Sequence, residues 1–367
     1  MRQTQSNLPK AFLLTLICAI GIAGTAPAQT ASDLVAQGRG FLSQRDLFNA
    51  NSRFAQAVAT DPSHEEANAF YAGTRLMSLV DQPATQDFLD RLGLGAMGRD
   101  IYNWSSKPAR DAFGRRITPA GVNAQEGTAH LRTTLRPELQ AARANLAKVT
   151  SPGFEITLSA AETTTASVSI DLADVSLLVA LTHFLEYFLY TTDSWNLDAL
   201  LTDLDALHQA NQLNAERILR DYPALFTFRS TDDLADARDR FSDFVTAYQM
   251  ASTSIRNRPV QDNHLFMDDP KRASEEMDFR SLIQDLQNSL TQGPIVLSIN
   301  SKHMVNATPH FGGMHSLRSF FPQIRKNGFV LGSLPDETFG GVITGLSANE
   351  VETFAIAKDV QAIPSLS

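Results

Sequence analysis

The chain has 367 residues, of which 43% are hydrophobic and 19% charged, with 31 basic side chains, 40 acidic ones and one cysteine. The apolar content excludes a disordered chain, and the lack of a cysteine framework excludes zinc-ribbon, iron–sulfur, thiol-nucleophile and disulfide-stapled proteins. The net charge of −9 argues against nucleic-acid binding, because neutralising phosphates requires a basic surface, so a soluble globular protein of about two domains remains.

Residues 1–28 have the pattern of a secretory signal peptide. Arg2 and Lys10 form a basic head, an apolar stretch covers 11–23, and small residues precede a cleavage site after Ala28. The alternative is an uncleaved membrane anchor, but the stretch is shorter than the roughly 20 apolar residues that a span needs. Cleavage predicts a periplasmic or extracellular protein with no transmembrane span. The mature chain then lacks cysteine and has a net charge of −11, from 29 basic and 40 acidic side chains.

Helical periodicity begins at Ser32 and carries a repeat-like order of small and aromatic residues. The signature positions are Leu34, Gly38, Phe41, Ala50, Phe54, Ala57 and Pro62. Small residues let paired helices approach closely, and aromatic side chains fill the groove between them. The segment resembles one tetratricopeptide (TPR) repeat of about 34 residues, with Leu34 where tryptophan is usual. A weaker second repeat begins near Pro62.

The resemblance leaves two roles open for the TPR-like segment, residues 29–98. Such repeats form concave surfaces for peptides or partner proteins, and on that reading the protein-binding candidates are Phe41, Arg45, Tyr71 and Arg75. Repeat proteins usually need about three repeats before neighbouring repeats cover each other's apolar faces. One and a half repeats are therefore expected to pack against the rest of the chain as a helical flank, and this second role is favoured.

Residues 99–150 are predicted to form a basic loop and helix linker. Nine basic and four acidic side chains between 99 and 148 give this stretch a local charge of +5. Between 155 and 243 the balance reverses, with 16 acidic side chains against five arginines. Two mutually attracting surfaces would explain this reversal, but solvated helix faces explain it more simply.

Alternating residues at 154–158 and 166–171 predict a β-hairpin at the start of a helical body, residues 151–293. Asp174 is the expected N-cap of the next helix, at 175–190. This helix is apolar on most of its sides and is therefore expected to lie buried in the core. Further amphipathic segments predict helices around Leu200, Phe244 and Leu286.

Residues 294–367 are predicted to contain β-strands. The apolar run at 295–299 has the length of a strand, and short strand candidates follow at 329–331 and 341–343 between turn residues. The fold class predicted for the whole chain is mainly α with a minor β part (α+β): TPR-like helical hairpins, a helical body and a small C-terminal β region.

His183 and Glu186 form the first candidate metal site. Their i, i+3 spacing puts them on one face of the apolar helix, and such a pair binds a metal when other helices add ligands. The pair also resembles the His-x-x-Glu signature of the imelysin family of exported proteins, although Leu181 stands where that family has glycine. A buried, hydrogen-bonded His–Glu pair explains the same pattern and is the favoured interpretation.

His303, His310 and His315 form the second candidate, because a glycine-rich turn between the last two could fold the three imidazoles together around zinc or copper. Their spacing matches no metal motif, and scattered loop residues are the favoured alternative. Two acidic pairs, Asp268-Asp269 and Glu275-Glu276, lack the residue order of a calcium loop and are interpreted as solvated charges.

These patterns predict an exported, non-enzymatic interaction or scaffold protein of the bacterial envelope that uses its TPR-like helical surface and whose partner is an envelope protein or peptide. Serine-nucleophile elbows, phosphate loops and dinucleotide fingerprints are absent from the sequence, so no cofactor is predicted and the only alternative ligand is a divalent metal. The alternative function is a metal-binding protein or hydrolytic enzyme with its site between the helical body and the His303–His315 loop.

Overall fold

The computed structural model describes residues 29–210, 217, 220–259, 262–314 and 316, together with short strands at 324–325, 328–329 and 343–344. The predicted signal peptide lies outside these residues. The fold is mainly α with a minor β part, as predicted.

The helices and strands below are numbered in chain order. The helices are α1 (Ala31–Ser43), α2 (Leu47–Thr60), α3 (Glu65–Met77), α4 (Pro83–Arg91), α5 (Ala124–His130), α6 (Arg136–Leu146), α7 (Ala160–Thr163), α8 (Leu172–Ser194), α9 (Leu201–Gln209), α10 (Asp232–Arg256), α11 (Ala273–Gln292) and α12 (Thr308–Phe311). The strands are β1 (Glu155–Leu158), β2 (Val168–Asp171), β3 (Ile295–Leu297), β4 (Asn300–Val305), β5 (Ile324–Arg325), β6 (Gly328–Phe329) and β7 (Ile343–Thr344).

Helices α1, α2 and α3 pack in succession, joined by short turns. Gly38 of α1 lies against the ring of Phe54 on α2, and that ring stacks on Phe70 of α3 with centroids 4.8 Å apart. Thr30 and Asp33 form a capping box that fixes the start of α1. The small-then-aromatic order in the sequence therefore corresponds to a close helix–helix contact.

Helix α6 joins the α1–α3 unit to the rest of the molecule. Its Ala142 and Leu146 belong to the same buried core as the α1–α3 side chains. The amide of Asn145 donates to the side chain of Asn68 over 2.8 Å, and Glu138 forms an ion pair with Arg75. The core is thus continuous from α1 through α6 to the start of α8.

The predicted β-hairpin is present and leads directly into α8. Strands β1 and β2 are antiparallel with Glu155 opposite Asp171. Asp171 ends β2 and caps α8, because its side chain accepts from the backbone N–H of Asp174 while Asp174 returns a bond to the Asp171 N–H. The predicted cap at Asp174 was wrong: Asp174 is the third helical residue, and α8 begins at Leu172.

Helices α8 and α10 form the longest packed pair of the structure. Ala180 of α8 packs in a second core cluster with Phe241, Phe244 and Val245 of α10 and with Ile283 of α11. Helix α12 closes one side of this cluster, where Phe311 lies against Tyr187 with ring centroids 6.1 Å apart.

The β part beyond residue 294 is small. Strand β4 pairs antiparallel with β3 and β7, and β5 pairs with β6. Strand β3 begins at Ile295, where the apolar run of the sequence begins.

Replacing Gly38 by alanine tests the α1–α2 contact. An added Cβ would lie 2.5 Å from Cε1 of Phe54, so the helices would have to move apart, and we expect a loss of about 1–3 kcal/mol in the free energy of unfolding. Urea denaturation followed by circular dichroism measures this change. Gly40→Ala is the matched control: its Cβ meets nothing within 4 Å, so the variant should gain roughly 0.5–1 kcal/mol. Equal stabilities of the two variants would contradict the contact.

Candidate functional site

Helix α8 carries a row of polar side chains on the face that it turns towards α6. Glu186 is fully buried there, and the guanidinium of Arg143 donates to its Oε2 atom. The other carboxylate oxygen, Oε1, is buried without a hydrogen-bond partner among the described residues. The buried charge of Glu186 is therefore balanced by one arginine from α6.

His183 lies one helical turn before Glu186 and faces the same arginine. Its Nδ1 atom is 3.4 Å from Nη1 of Arg143 and 3.6 Å from Oδ2 of Asp243, which also pairs with Arg240 over 2.9 Å. Burial, assisted by the positive charge of Arg143, lowers the pKa of His183 to about 4. The imidazole is consequently neutral near pH 7.

The described contacts give an Arg143–Glu186 ion pair in place of the expected His183–Glu186 hydrogen bond, and this geometry argues against a metal site at the two residues. A metal held by the pair would have to approach the carboxylate that Arg143 already contacts, and two cations at that distance repel each other. Burial and the nearby Arg240 also lower the pKa of Arg143, which shows how closely the basic groups are packed.

The three C-terminal histidines are described only in part. His310 lies on α12, largely buried, with its ring edge-on to Phe311 at 5.1 Å, and burial lowers its pKa. For His303 only the backbone, in β4, is described, and His315 lies outside the described residues. The candidate site formed by these three residues therefore stays a prediction.

A second polar cluster, not predicted from the sequence, holds the start of α8. Asp171, Asp174 and His264 bring possible ligand atoms within 4.8 Å of one another. The buried guanidinium of Arg258 lies among them, 2.7 Å from Asp171 and 3.2 Å from Asp174. Burial alone would raise the pKa of Asp171, but its bonds to Arg258 outweigh burial and keep the pKa low. The site is thus already filled by a cation of the protein.

The C-terminal end of α8 is held in the same manner. Asp193 is almost completely buried and pairs with Arg229 over 2.7 Å and with Arg132 over 3.3 Å. Arg229 also donates to the backbone carbonyl of Asp193. We call Arg258, Arg143 and Arg229 the three arginine clamps of α8, since they bind its start, middle and end.

The opposite face of α8 is apolar and exposed. Leu181, Phe184, Leu185 and Phe188 are 37%, 40%, 44% and 53% exposed, and their i, i+3, i+4, i+7 spacing makes one continuous stripe, the crest of α8. The prediction that this helix lies wholly in the core was wrong. The buried carboxylates of Glu186 and Asp193 lie on its inner face, and the outer face lies in solvent.

Helix α8 is also the one helix among the described residues that is long and apolar enough to cross a membrane. This criterion concerns length and composition alone, and core helices of soluble proteins meet it too. The buried ion pairs of Glu186 and Asp193 bind one face of α8 to protein, not to lipid.

The protein-binding candidates of the TPR-like segment contribute mostly to internal packing. Phe41 and Tyr71 are half-buried against the main core. Arg75 stacks over Tyr71 at 4.9 Å and pairs with Glu138 of α6. Arg45 is exposed in the turn after α1. Three of the four side chains thus hold α1 and α3 against the body of the protein.

A shallow groove of about 430 Å³ lies between α10 and α11. Its polar side chains are bonded to one another: Arg280 donates to Gln249 over 2.6 Å, and Asp285 accepts from the backbone and the hydroxyl of Ser298. Neither His183 nor His310 is among the residues that line it. The groove therefore does not join the candidate residues of the predicted enzyme site.

Comparison with models of known protein families, with curated proteins and with solved structures found no match to this chain. The resemblances to tetratricopeptide repeats and to the imelysin signature consequently rest only on the residues quoted above.

Separate and combined substitutions of Arg143 and Glu186 test the central clamp. Arg143→Met leaves a buried carboxylate without its cation, and Glu186→Leu leaves an arginine without its anion. Each should lower the free energy of unfolding by about 3–5 kcal/mol. The double variant should lose less unfolding free energy than the two single variants together. Chemical denaturation of the wild type, both single variants and the double variant measures this coupling.

The matched control for the clamp is Arg272→Met, which removes an exposed ion pair with Glu275. It should change the free energy of unfolding by no more than about 0.5 kcal/mol. Additive losses in the double variant, or a loss at Arg143 as small as at Arg272, would show that Arg143 does not hold α8.

Proposed function

We propose that this chain is an exported, non-enzymatic scaffold protein of the bacterial envelope that binds a helical segment of another protein on the crest of α8. The observation that carries the proposal is the exposure of Leu181, Phe184, Leu185 and Phe188 along one face of a rigidly held helix. Contiguous exposed apolar side chains are uncommon on monomeric proteins and mark interaction sites.

The shape of the crest supports a helical partner. Side chains at i, i+3, i+4 and i+7 form a ridge that fits between the side chains of a second helix with its own apolar face. The crest contains no charged residue, so its ligand is expected to present leucine, phenylalanine or similar side chains. The three clamps keep α8 in one orientation, which lowers the entropic cost of binding.

In this proposal the TPR-like helices have a bracing role. Phe41, Tyr71 and Arg75 are engaged with the core and with α6, which supports the flank interpretation of residues 29–98. Arg45 is the member of the candidate set that remains free to contact a partner from the solvent side. Export to the periplasm or extracellular space rests on the predicted signal peptide.

The alternative function, a metal-binding protein or hydrolytic enzyme, has less support. Arg143 contacts the carboxylate that a metal would use, and the described part of the His303–His315 loop adds only His310, which is largely buried beside Phe311.

The test compares capture of envelope proteins by the mature chain and by variants of the crest. Leu185→Asp combined with Phe188→Asp places charges on the stripe while leaving the inner face intact. We expect the wild type to retain a partner that the double variant loses. The captured protein, once purified, should bind the wild type at least about 30-fold more tightly than the variant, as for other binding hot spots.

Phe48→Asp is the matched control for this capture. Phe48 lies on α2, is 79% exposed and is not part of the crest, so this variant should capture the partner as the wild type does. Equal binding by the crest variant would contradict the proposal, and so would recovery of only a second copy of the same chain. Deleting residues 29–98 is unsuitable as a control, because it removes 11 of the 17 buried residues of the main core.

A further inference from the structure

The basic loop between α4 and α5 contains a small hairpin, residues 109–117. The backbone N–H of Ile117 donates to Ala109 over 2.8 Å, and that of Asp111 donates to Arg115 over 2.8 Å. Gly114 takes the left-handed conformation that the turn requires, with φ of 79°. The carboxylate of Asp111 accepts from the backbone of both Phe113 and Arg115. These bonds fix the tip of the hairpin before any ligand binds.

An aromatic side chain stands at this tip. Phe113 is 83% exposed, and the guanidinium of Arg115 lies over its ring, 5.2 Å from the centroid. Ile117, at the end of the hairpin, is 48% exposed. Leaving a phenylalanine in water forgoes roughly 1.5–3 kcal/mol of burial free energy, which a ligand that covers Phe113 would recover.

Cations surround the apolar tip. Lys107, Arg110, Arg115 and Arg116 lie within ten residues of one another and face a single acidic residue, Asp111, so the local charge is +3. Arg110 bonds to the Gly114 carbonyl and Arg115 to Asp111. The side chains of Lys107 and Arg116 are exposed and have no partner in the part of the chain that the structure describes.

The geometry points to an anionic lipid surface as the ligand of the 109–117 hairpin. A phenylalanine at the tip fits the boundary between headgroups and acyl chains, while lysine and arginine behind it fit the phosphate layer. The predicted mature chain has a net charge of −11, so attraction to an anionic surface has to come from a local basic site of this kind. The inference does not depend on the crest of α8.

A lipid surface fits better than an acidic protein because of the order of the groups. Phe113 lies at the turn, and Lys107 and Arg116 lie farther from the turn along the chain, which is the order in which a bilayer presents its acyl chains and phosphates.

Co-sedimentation of the mature protein with vesicles tests the inference. The protein should bind vesicles of phosphatidylcholine mixed with phosphatidylglycerol, bind weakly to phosphatidylcholine alone, and be released by high salt as the Debye length shortens. Phe113→Ala should weaken binding about tenfold or more. Lys107→Gln with Arg116→Gln should weaken it roughly 20-fold, because each cation near an anionic surface contributes about fivefold.

Phe48→Ala serves as the control. Phe48 is similarly exposed, but it lies on α2, away from the basic residues of the 109–117 hairpin. Its affinity for the vesicles should equal that of the wild type. A second measurement reports the depth of insertion: lipids brominated on their acyl chains should quench the added indole fluorescence of Phe113→Trp and leave that of Phe48→Trp unchanged.

Three results would overturn the inference: a wild-type protein that stays in the supernatant with anionic vesicles, equal binding by Phe113→Ala and Phe48→Ala, or equal binding to neutral vesicles. The hairpin bonds use backbone groups and Asp111, so Lys107→Gln and Arg116→Gln leave the fold intact. The circular dichroism spectrum of each variant verifies that it is folded.

Discussion

The buried ion pair between Arg143 and Glu186 is the constraint on which this structure depends. Helix α8 is apolar around most of its circumference, so hydrophobic burial alone does not decide which face turns inward. A buried carboxylate without a cation costs several kcal/mol, so Glu186 has to face Arg143. With about 100° of rotation per residue, this choice turns Leu181 and Phe188 to the far side, where they form the exposed crest.

The clamp at the C-terminal end of α8 acts in the same direction, because Asp193 lies about two turns after Glu186 on the same face, and the clamp at Asp174 fixes the start of the helix. Arg258 and Arg229 hold Asp174 and Asp193, and Arg143 comes from α6, which also packs on the TPR-like helices. The orientation of α8 is thereby coupled to the whole core. A surface helix with an apolar stripe normally turns that stripe inward. Here the buried ion pairs determine which face is inner, and the stripe stays exposed.

The sequence predicts local features of this protein better than its long-range ones. The small-then-aromatic order around Gly38 and Phe54 and the alternation in the β-hairpin lead to the observed contacts, since both depend on neighbouring residues. The clamps do not follow from local patterns: Arg258 lies 87 residues from Asp171, and nothing in the spacing links them. The pairing of Arg143 with Glu186 is likewise not visible in the sequence. The sequence therefore does not show which face of α8 is inner, and it predicts a buried helix.

Charges on the inner face hold α8 with its crest in solvent, and native-state thiol labelling tests this orientation most directly. Residues 29–367 contain no cysteine, so a single cysteine at position 185 or 189 is a clean probe. Leu185 is on the crest, whereas Leu189 is 6% exposed. We predict that Leu185→Cys reacts with a thiol reagent at nearly the rate of an unfolded peptide, while Leu189→Cys reacts orders of magnitude more slowly. Equal rates, or a protected cysteine at 185, would contradict the account.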